Sequence, residues 1–176
     1  SRHLSLKAAL EEVREEKVAA SLRLAVRCMQ SIGYRDPMIA CAALNPHASE
    51  NGQFGDEEQR IIAPAILLAQ EQGINCSGPI PADALFLRAV QGEFDAVVAM
   101  YHDQAMIPIK LLDREHAVNV TIGLPAVRTS PAHGTAFDIA GKNRASASSM
   151  KSAILTAIHM GQVRRAWAAA ASGNGQ

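Results

Sequence analysis

Three of the six histidines stand where an apolar run gives way to a polar loop: His47 after Leu44-Asn45-Pro46, His102 after Met100-Tyr101, and His3 near the start of the chain. In α/β proteins the ends of strands are where ligands bind. Neutral imidazoles that leave coordination positions open suit a catalytic zinc or another divalent ion, which polarises a substrate oxygen as a Lewis acid. No compact HExxH spacing ties these histidines together, so as isolated residues they serve equally well as surface or capping side chains. Asp83 and Asp103 flank the same loops, where a carboxylate can orient a ligand histidine or shuttle a proton. Helix capping explains an aspartate at position 83 equally well.

A second group could hold an anion. Lys110, Asn119 and Arg128 each lie beside an apolar run. A point charge, an amide and a planar fork together match phosphate or carboxylate. Taken singly they also read as solvated ends of strands and helices. A third group is the loop from His133 through Gly134 and Asp138 to Lys142. Its imidazole can stack on adenine and its carboxylate can accept both ribose hydroxyls. The chain has neither GxGxxG after a strand nor GxxxxGK[ST], so a nucleotide here binds in some other way.

The elements that must position these residues alternate. Val18, Leu22, Ala25, Val26, Met29 and Ile32 recur at helical spacing from Glu15 to Ile32, and Gly33 is the left-handed stop. Met38 to Leu44 and Ala96 to Met100 are short apolar runs of the kind buried on both faces of a sheet, and Val118 to Ile122 is a further strand. Ile74 to Cys76 suits a brief strand. Residues 45–55 read as a loop, and Asp56 caps a helix running to Gln72 with a kink at Pro64. Asp83 caps a shorter helix ending near Gln91, and a last helix starts near Ser148. Strands alternating with helices give an α/β fold.

The 176 residues carry 17 lysines and arginines against 17 acids, so no net field favours nucleic acid or an anionic membrane. The longest apolar run, Met38 to Leu44, is far short of the roughly 20 residues of a membrane helix. No signal peptide is evident, and a cytoplasmic location is expected. Cys28, Cys41 and Cys76 are odd in number and lack CxxC spacing, which reads as buried, inert thiols.

Taken together, several segments become familiar. Leu44-Asn45-Pro46-His47-Ala48, Pro81-Ala82-Asp83, Met100-Tyr101-His102-Asp103-Gln104, Asn119 to Pro125 and Arg128-Thr129-Ser130 resemble, in order, the motifs of the 4-hydroxythreonine-4-phosphate dehydrogenase family. His133 to Lys142 resembles the adenosine-binding loop of isocitrate and isopropylmalate dehydrogenases, whose α/β/α sandwich that family shares. The resemblance implies that His3, His47 and His102 bind a divalent metal (zinc, cobalt, nickel, manganese or magnesium), and that Lys110, Asn119 and Arg128 hold the substrate's anionic end. It further implies that His133, Gly134 and Asp138 contact NAD, with Asp83 and Asp103 as the catalytic carboxylates. The implied reaction oxidises a phosphorylated 3-hydroxy acid and decarboxylates the β-keto acid, as in pyridoxine biosynthesis, within a homodimer that shares its active site.

Family members are about twice as long, so the chain resembles the carboxyl-terminal half. Residues 1–104 correspond to the metal-binding and dimerisation domain, and residues 105–176 to the returning part of the nucleotide-binding domain. Ala105 and Asn51 stand where the family has glycines, and Pro131-Ala132 replaces a usual Val-Asp. Ser49-Glu50-Asn51-Gly52 and Lys110-Leu111-Leu112 are more similar to the branch acting on 4-phospho-threonate or erythronate. Two alternatives stay open at this point: a cis-dihydrodiol dicarboxylate dehydrogenase, and a non-catalytic metal-binding dimerisation module.

Overall fold

The computed structural model describes residues 3–173. Among these, no helix is long and apolar enough to cross a membrane. The chain forms two compact units, one comprising Ser1–Gln30 and Tyr34–Pro108, the other Ser31–Gly33 and Ile109–Gln176. Their division at Pro108–Ile109 lies a few residues beyond position 104.

The first unit is built on three parallel strands. Strand β1 (Ile39–Ala42) lies between β2 (Cys76–Ile80) and β3 (Ala96–Val98), with Ile39 opposite both Cys76 and Ala96. All four residues of β1 are buried, the signature of a strand covered on both faces. Ala40, Ala42 and Leu85 form a packed cluster with Ile80, Phe94 and Val97 against it. Both Cys41 and Cys76 are buried free thiols, and burial pushes the Cys41 thiol up to about 12.

The helices follow from pattern and local chemistry. Helix α1 (Leu6–Glu11) is capped by Ser5, whose hydroxyl accepts from the Ala8 N–H at 3.3 Å. Helix α2 (Glu15–Ser31) buries Val18, Ala19, Leu22 and Met29 and gives way to Gly33 at φ 108°, as its spacing predicts. The helix expected from Asp56 is instead a π-helical turn at Glu58–Ile62 followed by α3 (Ala63–Glu71). Pro64 falls in the first turn of α3, where a missing N–H costs least. Helix α4 (Ala82–Val90) starts after Pro81, and no side chain caps it. Asp83 therefore does not cap this helix. It occupies the first turn, where a carboxylate meets the positive end of the helix dipole.

Helix α5 (His102–Asp113) runs across the boundary between the units and contains Pro108. In the second unit, β4 (Val118–Thr121) pairs antiparallel with β5 (Arg128–Pro131), and α6 (Ser148–Gly173) packs on that ribbon. The Thr129 hydroxyl donates to the Ala153 carbonyl at 2.9 Å, and Ser149 donates to that of Ala117 at 3.2 Å.

Candidate functional site

Because β1, β2 and β3 are parallel, their carboxyl ends share one edge of the sheet. The turn bearing His47 follows β1, the helix bearing Asp83 follows β2, and the helix bearing His102 follows β3. Topology thus brings three of the expected residues to one rim, where open α/β sheets place their ligands.

At that rim the His3 and His102 rings lie 5.8 Å apart between centroids, tilted by 46°. With Leu6, Ala9, Tyr101 and Asp103 they line a cleft of about 260 Å³. His102 also borders a larger groove of about 620 Å³ running past Val18, Val97 and Met106. The His102 Nδ1 lies 2.6 Å from a carboxylate oxygen of Asp103. An Nδ1–H donated to that oxygen leaves the Nε2 lone pair outward, the arrangement in which a carboxylate orients a metal-ligating imidazole.

His47 does not join this pair. It is exposed, packs against Phe54 at 6.2 Å, and belongs to a turn, Pro46–Gly52, with unusual backbone. From His47 to Asn51 every residue has a positive φ, between 41° and 64°. That conformation costs non-glycine residues roughly 1–2 kcal/mol each, less for asparagine. Among the described residues, no group of three or more histidines, cysteines or carboxylates is gathered closely enough to hold a metal within one chain. His3 and His102 are of the donor type a divalent ion takes, but two imidazoles alone do not complete a site.

Two buried polar residues that sequence reasoning missed hold this rim. Gln104 accepts from the Met100 N–H and donates to the Ala43 carbonyl, both at 2.7 Å. Glu58, 2% exposed, accepts from the main-chain N–H of Leu44 at 2.8 Å and of Asn45 at 2.7 Å, and from the Asn45 amide at 3.0 Å. The same amide donates to Glu57 at 2.7 Å. Burial alone raises the Glu58 carboxyl, but the hydrogen bonds from Asn45 and Leu44 outweigh it and hold the group below its ordinary range. A signal was there to read: Glu58 shares a helical stripe with the buried Ile62, Ala65, Ile66 and Ala69, an odd place for a charge.

In the second unit, Asn119 pairs with Ser130 and Thr121 with Arg128 across the β4–β5 ribbon. The Asn119 amide donates to the Ser130 hydroxyl at 3.2 Å, and Arg128 donates to the Thr121 hydroxyl at 3.0 Å. Opposed residues share a face, so Asn119 and Arg128 project from the same side of the ribbon. Lys110 lies in the last turn of α5. His133 donates from Nδ1 to the Gly134 carbonyl at 2.9 Å, and it, Gly134 and Asp138 are all exposed on one loop. His133 and Asp138 share that loop without a hydrogen bond between them.

Residues 1–157 match the family model described as "Pyridoxal phosphate biosynthetic protein PdxA". A 4-hydroxythreonine-4-phosphate dehydrogenase of Geobacter metallireducens is 56% identical over 149 residues, covering 85% of this chain and 44% of that protein. A D-threonate 4-phosphate dehydrogenase of Salmonella typhimurium is 47% identical over 160 residues, covering 91% and 49% respectively. Among solved structures, a 4-hydroxythreonine-4-phosphate dehydrogenase from Klebsiella pneumoniae superposes with a TM-score of 0.81 at 45% identity, over 90% of this chain and 48% of that one. The chain spans about half the length of the relatives it matches.

Proposed function

From the premise that this chain belongs to the PdxA family, we propose that it forms part of an NAD-dependent, divalent-metal-dependent dehydrogenase of a phosphorylated 3-hydroxy acid. The observation that carries the metal side of this reading is the His3–His102 pair, with Asp103 fixing the His102 ring, on the sheet edge from which the His47 turn also leaves. Because one chain does not gather three imidazoles, the reading includes a homodimer in which His47 and the His3–His102 pair meet across two copies. A nitrogen-rich donor set favours zinc, cobalt, nickel or manganese over magnesium.

In this account a divalent ion at the rim would polarise the substrate hydroxyl and, after oxidation, the ketone. Asp103 keeps the His102 Nε2 aimed at the ion. Asp83, exposed in the first turn of α4, is the group that takes up the hydroxyl proton, and NAD, when bound, would supply the hydride acceptor. Loss of carbon dioxide from the resulting β-keto acid then leaves an enol that takes a proton back. Arg128 and Asn119 bind the phosphate from one face of the ribbon, with Lys110 adding charge. His133, Gly134 and Asp138 are assigned to the adenosine of NAD, whose ring and ribose hydroxyls their chemistry matches.

A substrate panel tests the proposal. The natural polypeptide carrying this sequence, supplied with NAD and cobalt or zinc, should reduce NAD with 4-phospho-threonate or 4-phosphohydroxy-threonine and release carbon dioxide. Turnover of an aromatic cis-dihydrodiol dicarboxylate in place of both phosphorylated acids would overturn the substrate assignment. Metal binding without any NAD reduction would identify a dimerisation module instead.

A further inference from the structure

The turn that presents His47 is not stable by its own means. Ala48, Ser49 and Glu50 are not of the types that favour left-handed backbone, yet all adopt it, between His47 at φ 52° and Asn51 at φ 56°. The buried Ser49 hydroxyl has no hydrogen-bond partner among the described residues. Backbone held in such a region persists only where its surroundings over-determine it, and such places cluster at functional sites.

What over-determines this one sits immediately before it. The Glu58 carboxylate collects the Leu44 and Asn45 main-chain N–H groups and the Asn45 amide, so the chain enters Pro46 with its direction set. The exit is closed by the Phe54 N–H donating to the Ser49 carbonyl at 3.1 Å. Gly55, at φ 111°, passes so close to the Asn45–Glu57 contact that an added Cβ would fall 2.7 Å from the Asn45 amide nitrogen. We infer that Glu58 is a positioning residue for His47: it fastens the entry of the turn and so holds that imidazole ready for its ion before the ion arrives. This rests on the reading of His47 as a metal ligand. A glutamate kept only for stability would have no reason to sit on the segment that aims the imidazole.

The test compares Glu58→Gln, Asn45→Ala and His47→Ala, titrating each with cobalt and following its visible absorption, with amide hydrogen exchange recorded on the metal-free protein. In Glu58→Gln the side chain keeps its shape but loses its charge: a neutral carbonyl oxygen faces the main-chain N–H groups of Leu44 and Asn45, and an N–H₂ faces the Asn45 amide donor. Cobalt affinity should fall at least tenfold, and the Leu44 and Asn45 amides should exchange at least tenfold faster while those of β1 stay protected. Asn45→Ala, which keeps both main-chain bonds, should show the same change to a smaller degree and serves if Glu58→Gln does not fold. Ala48→Gly, which removes a left-handed penalty, should restore part of the lost affinity in either background. Unchanged cobalt affinity in Glu58→Gln and Asn45→Ala, with affinity lost in His47→Ala, would overturn the positioning role and leave His47 a ligand. Unchanged affinity in His47→Ala would overturn the ligand assignment itself.

Discussion

Gln104 donates from its side-chain amide to the main-chain carbonyl of Ala43 at 2.7 Å and so ties the start of the His102 helix to the strand that launches the His47 turn. Its oxygen meanwhile accepts from Met100, so one buried side chain satisfies groups at the ends of two neighbouring strands. Gln104→Leu keeps the size and strands both partners. A buried group left unpaired costs about 1–3 kcal/mol. The variant should therefore lose roughly 2–4 kcal/mol in urea unfolding, with the midpoint lowered and the slope unchanged. A shift within error would mean that water replaces the amide without cost.

Glu58 predicts a dependence on pH. Its carboxyl lies below its ordinary range in the folded state, so the stability it contributes is present above the unfolded value of about 4.3 and disappears as pH falls through the lower folded value. Thermal unfolding of the parent and of Glu58→Gln should differ by a constant amount from neutral pH down to about 5, and the gap should close below about 4. A gap that widens on acidification would show the opposite shift.

Gly78 is held at φ 136°, and an added Cβ would lie 2.5 Å from the Cys41 carbonyl oxygen, on the main chain of the central strand. Neither the strand nor the conformation can yield cheaply. Gly78→Ala should cost several kcal/mol, on the order of 3 or more, and give little soluble protein. Wild-type melting behaviour would show that β2 can withdraw from β1.

Arg128 and Asn119 share one face of the ribbon, so replacing the planar fork with a point charge tests the phosphate assignment. Arg128→Lys should weaken binding of a phosphorylated substrate about tenfold, equal to about 1.4 kcal/mol. Inorganic phosphate should compete with substrate in the parent and less well in the variant, as read from inhibition constants. Phosphate that fails to compete while an aromatic dicarboxylate does would move the pocket to another class of substrate.

How legible this was depended on the kind of signal. The α2 helix, β1 and the strand after Asp95 were plain because apolar periodicity and full burial leave a strong imprint on sequence. Helix α5 was not, because Pro108 interrupts it and His102 read as the start of a loop. Strand β5 was missed because Arg-Thr-Ser-Pro is polar and ends in proline. The left-handed turn at His47 leaves no compositional trace, since glycine is absent from residues 47–51, where φ is positive. Its cause, Glu58, is a long-range contact to residues 44 and 45 that no local rule predicts. Of the expected ligands, His3 and His102 come together in one chain while His47 stays apart, a division that spacing alone could not express.

The central claim, that His47 of one copy completes the His3–His102 site of another, is tested by mixing two variants. His47→Ala and His102→Ala of the natural polypeptide carrying this sequence should each lose cobalt binding when pure. Unfolded and refolded together, they should regain it in mixed dimers, which hold one intact site and one lacking both residues, so that cobalt stoichiometry recovers to about a quarter of the parent value by random pairing of copies. No recovery in the mixture, with both variants shown to be folded and dimeric, would place all three histidines in one subunit and contradict the account.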